Sequence, residues 1–242
     1  MQHRSKKIKK SFFIILVVLI VLSGGSAIYL GNYYHSVDVE KYMNGSSEVS
    51  VEKFDKGWFF DGAGEEKALI FYPGAKVATE AYAPLMYQLA ESGIDCFLVD
   101  MPFHMAFFGM NRAEEIMQEY NYEAWYLGGH SLGGAMAANF AADYVEDHTD
   151  GIRGLLLLAA YPTKDLSTSD MSVVTIYGSE DGVLNMDKIV AGRELMPQDY
   201  KEVCIEGGNH AQFGSYGAQK GDGTAAIPAE EQWARTVEVF IE

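Results

Sequence analysis

Between Trp125 and Asp147 the chain passes from an apolar run, Trp125-Tyr126-Leu127, through Gly128-Gly129-His130-Ser131-Leu132-Gly133-Gly134, into a long segment of alanines and other small residues. The run suits a strand and the small-residue segment, from about Leu132 to Asp147, suits a helix. Glycine on both sides of the serine lets the backbone reverse from one to the other without a side chain in the way. A strand joined to a helix by so tight a turn is a building unit of parallel sheets, and it limits the fold more than any other feature of the chain.

The rest of the chain repeats the unit. Apolar runs at Ala68–Tyr72, Cys96–Val99, Leu155–Leu158 and Val173–Tyr177 read as strands, and Lys201–Ile205 as a further strand. Tyr82, Leu85, Met86 and Leu89, then Ile116, Met117 and Tyr120, fall at helical spacing. Further helices are expected from Met186 to Leu195 and from Pro228 onward, the latter carrying Trp233, Val237 and Phe240. Unbroken apolar runs are typical of strands covered on both faces. The expected architecture is a three-layer α/β/α sandwich around a mostly parallel sheet. Glu48–Phe54 and Trp58–Asp61, separated by Asp55-Lys56-Gly57, read as a hairpin before it.

The first 47 residues differ. Residues 1–10 hold five basic residues and no acid, which leaves 13 basic against 34 acidic residues in the remainder of a chain of net charge −16. That acidity repels phosphate, so no nucleic-acid partner is expected. Residues 11–30 carry no charge and are long enough to span a bilayer as one helix. Residues 1–10 are therefore assigned to a basic cytoplasmic tail and 11–30 to a transmembrane signal anchor, with 31–47 as a linker and 48–242 as the main domain. This places the domain at the outer face of the cell membrane; a cleaved signal peptide, with Ser23 to Ala27 as its site, would make it secreted instead. Cys96 and Cys204 fall in strands expected far apart, so two buried free thiols are anticipated.

The chemistry gathers at the carboxyl ends of the strands, where ligands bind in such sheets. Gly129-His130-Ser131-Leu132-Gly133 fits the G-x-S-x-G nucleophile elbow, which projects Ser131 above the sheet in a strained turn. A serine needs a base. His210, in the small-residue loop after Lys201–Ile205, is the candidate; His130 is expected to point away along the elbow. An acid should orient the base from the end of a strand lying between them in sequence. Asp181 has that place, with Glu180 and Asp165 as rivals. The N–H of Leu132 and the N–H of Ala75 are candidates for an oxyanion hole. Lys76 either steers an anionic substrate or is solvated. The loop from Pro102 to Met110, with Phe103 and Phe107, lines a pocket, packs, or meets the membrane. The Gly-rich stretch from Gly214 to Ala226 is long enough to be functional. No metal-ligand spacing and no phosphate-cradling loop occurs, so no cofactor or metal is expected.

Tyr72-Pro73-Gly74-Ala75-Lys76-Val77, Gly129-His130-Ser131-Leu132-Gly133-Gly134, Tyr177-Gly178-Ser179-Glu180-Asp181 and Gly208-Asn209-His210-Ala211-Gln212-Phe213 occur in an order that resembles the α/β-hydrolase superfamily, in particular small bacterial members related to dienelactone hydrolase. The resemblance implies a mixed, about eight-stranded sheet whose first strands are the hairpin, and a Ser131–Asp181–His210 triad with Ala75 and Leu132 as oxyanion donors. Dienelactone hydrolase itself uses a cysteine, so its substrate does not carry over. Only about a dozen residues follow Leu158 before the next strand, which leaves no room for a large cap. The expected function is a serine hydrolase cleaving carboxylic esters or related acyl compounds of small molecules. An acyltransferase, a peptidase, or a non-catalytic binding module on the same fold are the alternatives.

Overall fold

The computed structural model describes Gly25, residues 31–148 and residues 151–242. The basic tail and the anchor assigned to residues 1–30 lie, Gly25 apart, outside the described residues. Among the described residues no helix is long and apolar enough to cross a membrane. Tyr34 to Glu242 form one compact unit.

Its centre is a sheet of eight strands: β1 (Ser50–Phe54), β2 (Gly57–Asp61), β3 (Lys67–Tyr72), β4 (Asp95–Val99), β5 (Ala124–His130), β6 (Ile152–Leu158), β7 (Ser172–Gly178) and β8 (Tyr200–Ile205). The spatial order is β1-β2-β4-β3-β5-β6-β7-β8. β1 pairs with β2, and β2 with β4, antiparallel; the other ladders are parallel. The order reverses between β3, β4 and β5, so the loops after β3 and β5 meet at the switch point where ligands bind in such sheets.

Strand composition follows from the layers. In β3, Leu69 and Phe71 join one core while Ala68, Ile70 and Tyr72 join the other, because successive side chains point to opposite faces and both are covered. Of the helices, α1 (Glu40–Met43) is a single turn, and α2 (Ala83–Glu91) and α6 (Ala229–Ile241) cover the first core. α3 (Arg112–Glu119) and α4 (Leu132–Asp147) cover the second. α5 (Met186–Gly192) lies between β7 and β8. No helix is inserted between β6 and β7, so the sandwich carries no large cap.

Two expectations change. Cys96 is buried, but Cys204 is exposed, because β8 is the sheet's edge strand, with a single ladder to β7. The stretch 34–47, expected as a linker, is packed into the domain. Tyr34 pairs with Val77, Val39 is buried in the first core, and Ser215 donates its hydroxyl to the Val37 carbonyl at 2.6 Å.

Candidate active site

β5 ends at His130 and α4 begins at Leu132, so Ser131 alone makes the turn. Its φ of 54° and ψ of −122° lie outside the regions a β-carbon normally tolerates, a strain of roughly 1–3 kcal/mol that persists only where the surroundings impose it. Those surroundings are close. A Cβ on Gly133 would sit 2.1 Å from the Tyr72 carbonyl oxygen and 2.4 Å from that of Pro73. The start of α4 is thus pressed against the end of β3 and the loop after it. The Ser131 N–H is held by the Leu158 carbonyl at 2.8 Å.

The loops after β7 and β8 bring an acid and a base together. Asp181 Oδ2 lies 2.8 Å from His210 Nδ1, with both side chains 2% exposed. Asp181 Oδ1 accepts the N–H groups of Val183 and Leu184 at 2.9 and 2.8 Å, so the carboxylate cannot turn away. An acceptor-only carboxylate requires the imidazole proton on Nδ1, which leaves Nε2 as a proton acceptor. The rivals are elsewhere. Glu180 is exposed. The exposed Asp165 accepts the Ser167 N–H and lines a concavity with Ile152 and Met171, at the opposite ends of β6 and β7. Among the described residues no hydrogen bond joins the Ser131 hydroxyl to His210; such contacts commonly tighten only around substrate.

His130 does not point away from this pair, as the sequence suggested. It is buried, and its ring centroid is 4.4 Å from that of His210. Burial, reinforced by the neighbouring His210, pushes its pKa well below the ordinary histidine value, so the ring stays neutral.

The oxyanion candidates lie at the meeting of the loops. Leu132 is the first residue of α4, where helix geometry leaves the N–H without an intrahelical partner. Ala75 lies between two fixed neighbours: the Gly74 N–H donates to the Tyr82 hydroxyl at 3.0 Å, and the Lys76 N–H donates to the His104 carbonyl at 2.8 Å. Lys76, Phe103 and His104 all have φ between 55° and 58°; three non-glycine residues in the left-handed region around one loop are the kind of strain that clusters at functional sites. Phe103 and Phe107, with Phe108, form an exposed aromatic group next to it, Phe107 and Phe108 with centroids 4.0 Å apart.

Sequence reasoning missed Asp222, in the Gly-rich stretch it had singled out. Its carboxylate accepts the N–H of Gly182 beside Asp181, and those of His210 and Ala211, at 3.1, 3.2 and 2.8 Å. One side chain thereby fixes the acid loop to the base loop. Gln232, fully buried, does the same for Asn209 by exchanging two hydrogen bonds with its main chain at 3.0 and 2.9 Å. Only the folded chain puts these acceptors in reach. Asp222→Asn places an amide N–H against that of Ala211; since hydrogen bonds to a charged group contribute about 1.5–3 kcal/mol, we expect a lower melting temperature. Turnover should fall about tenfold or more as His210 shifts. Steady-state kinetics and thermal denaturation check both, and an unchanged kcat would remove Asp222 from the site.

A sequence profile described as the alpha/beta hydrolase family matches residues 68–234, which include Ser131, Asp181, His210 and Asp222. No curated protein matches the sequence. Among solved structures, carboxyl esterase 2 from the fungus Tuber melanosporum superposes with a TM-score of 0.60 at 12% identity, over 86% of this chain and 88% of that one. The esterase domain of a Rhodothermus marinus protein gives 0.57 at 12%, over 80% and 96%. A bacterial heroin esterase gives 0.53 at 13%, over 82% and 86%. At such identities the likeness speaks to the fold.

Proposed function

The chain belongs to the alpha/beta hydrolase family, and from that premise we propose that it is a serine hydrolase of carboxylic esters, with Ser131, His210 and Asp181 as its triad. The observation that carries the reading is the buried Asp181–His210 pair at 2.8 Å, in loops at the same end of the sheet as the strained Ser131 turn. In this reading Ser131 Oγ attacks the ester carbonyl while His210 Nε2 takes the hydroxyl proton. Asp181 stabilises the imidazolium without itself being protonated. The N–H groups of Leu132 and Ala75 receive the oxyanion. Collapse of the tetrahedral intermediate expels the alcohol with the proton held on His210 and leaves an acyl-Ser131 ester. Water, deprotonated by the same Nε2, then releases the acid and restores the serine.

Phe103, Phe107 and Lys76 are proposed to meet the substrate at the rim. The uncapped sandwich favours a small or exposed ester. On p-nitrophenyl esters of increasing length, acetate and butyrate should be cleaved with at least about tenfold higher kcat/KM than the dodecanoate, the scale of discrimination that pocket fit supplies. A long-chain preference would reject the open-site reading, and no hydrolysis at all would reject the function. The sequence of residues 1–30 supports placing this activity outside the membrane, with the N-terminal segment as anchor; the mass of the mature N-terminus distinguishes an anchor from a cleaved peptide.

A further inference from the structure

One buried hydroxyl touches two parts of the site. The Gly74 N–H donates to Tyr82 Oη at 3.0 Å, and Tyr82 Oη lies 2.7 Å from His130 Nδ1. A Cβ on Gly74 would come within 2.8 Å of both Tyr82 Oη and His130 Nδ1, so the loop bearing Ala75 rests directly on this contact. Tyr82 and His130 are 0% and 1% exposed.

The proton placement follows. The Gly74 N–H can only donate, so the Tyr82 hydroxyl donates its own hydrogen bond to its other partner, His130 Nδ1. His130 therefore carries its proton on Nε2. That atom is buried and makes no close hydrogen bond, with the His210 main chain as its polar neighbour. His210, bonded to Asp181 through Nδ1, has the opposite tautomer. The two rings pack at 4.4 Å with their planes 53° apart, and Phe213 closes on His130 at 5.7 Å.

We propose that Tyr82 and His130 are a positioning pair for hydrolysis, one hydroxyl tying the oxyanion loop to the ring against which His210 packs. The pair rests on the hydrolase reading. It touches no substrate and transfers no proton. Tyr82 fixes the distance between Gly74 and the elbow, and so aims the Ala75 N–H. His130 gives the base a neutral, rigid wall that sets its ring plane while Asp181 sets its tautomer. An imidazole kept uncharged there also adds no repulsion when His210 takes the Ser131 proton.

Tyr82→Phe removes a single oxygen and keeps the ring. In the full-length protein acting on p-nitrophenyl butyrate, we expect kcat to fall about 10- to 100-fold, the scale of a small misplacement of reacting groups. KM should stay within about twofold, because the ground-state contacts are untouched. His130→Leu should fall similarly, and His130→Asn, whose Oδ1 replaces the Nδ1 acceptor, should recover part of the loss. Tyr82→Phe combined with His130→Leu should be no slower than the slower single variant, since both cut one connection. A Tyr82→Phe enzyme with wild-type kcat overturns the pair, as does a double variant whose loss is the product of the two singles. Should His130→Leu fail to fold, Tyr82→Phe and His130→Asn decide alone. A wild-type protein that neither hydrolyses esters nor labels with a fluorophosphonate sinks the hydrolase reading and this pair with it. A wild type that does both, beside an unaffected Tyr82→Phe, sinks the pair only.

Discussion

Ser131→Ala is expected to abolish labelling by a fluorophosphonate and to lower ester hydrolysis by at least about 10⁴-fold, since removing a triad nucleophile typically leaves only what the oxyanion hole and binding supply. The fold should survive. Alanine keeps the β-carbon, and the Ser131 hydroxyl makes no hydrogen bond among the described residues. The φ of 54° makes a companion variant informative: Ser131→Gly loses the activity equally but relieves a backbone strain of order 1 kcal/mol. The inactive glycine variant should therefore melt above the inactive alanine variant. Thermal denaturation of the two proteins, set beside their labelling, separates the chemical role of the hydroxyl from the geometric role of the turn. Retained labelling in Ser131→Ala would direct the search to another nucleophile.

The second large effect is expected at Asp181. Asp181→Asn is nearly isosteric, yet its amide N–H₂ and oxygen compete for the positions now taken by His210 Nδ1 and by the Val183 and Leu184 N–H groups. If the amide turns its nitrogen toward His210, the imidazole must accept there and carry its proton on Nε2, the wrong tautomer for a base; equivalent changes cost about 10⁴ in kcat. Glu180→Gln and Asp165→Asn are the controls. Both carboxylates are exposed, and neither is hydrogen-bonded to His210, so their kcat should stay within about twofold, as for other surface substitutions remote from a site. A loss at Glu180 matching that at Asp181 would reassign the acid.

The parts of this site that are legible in the sequence are those fixed by local geometry. Gly129, Gly133 and Gly134 are needed because backbone approaches them within van der Waals range, so the elbow announces itself in a short window. Asp181 follows β7, whose unbroken apolar character marks it as covered on both faces, and His210 follows the next strand, so a parallel sheet carries both to one end. Asp222, Gln232 and Tyr82 are invisible by the same logic. Each acts through hydrogen bonds to residues that only the folded chain brings near, and an aspartate in a Gly-rich loop looks like any solvated charge. His130 was misjudged for a related reason. The elbow directs Ser131 upward, but its neighbour is buried by Tyr82, His210 and Phe213, which no pattern within residues 125–147 encodes. The misreading of Cys204 is simpler: strand composition tells what a residue is, and only the ladder order tells that β8 is the edge.

The pairing of Tyr34 with Val77 makes the start of the domain part of its working end. Tyr34 exchanges main-chain hydrogen bonds with Lys76 and Ala78 at 2.7 and 2.8 Å, while the Val37 N–H reaches Ser215 at 2.8 Å. The Tyr34 hydroxyl accepts the Lys220 N–H at 3.2 Å. A proteolytic cut between Val37 and Glu40 would leave every strand of the sheet intact and still remove the brace between the loops that carry Ala75 and Asp222. Tension on the polypeptide ahead of Tyr34 would follow the same load path, arriving at the oxyanion loop before it reached any strand of the core.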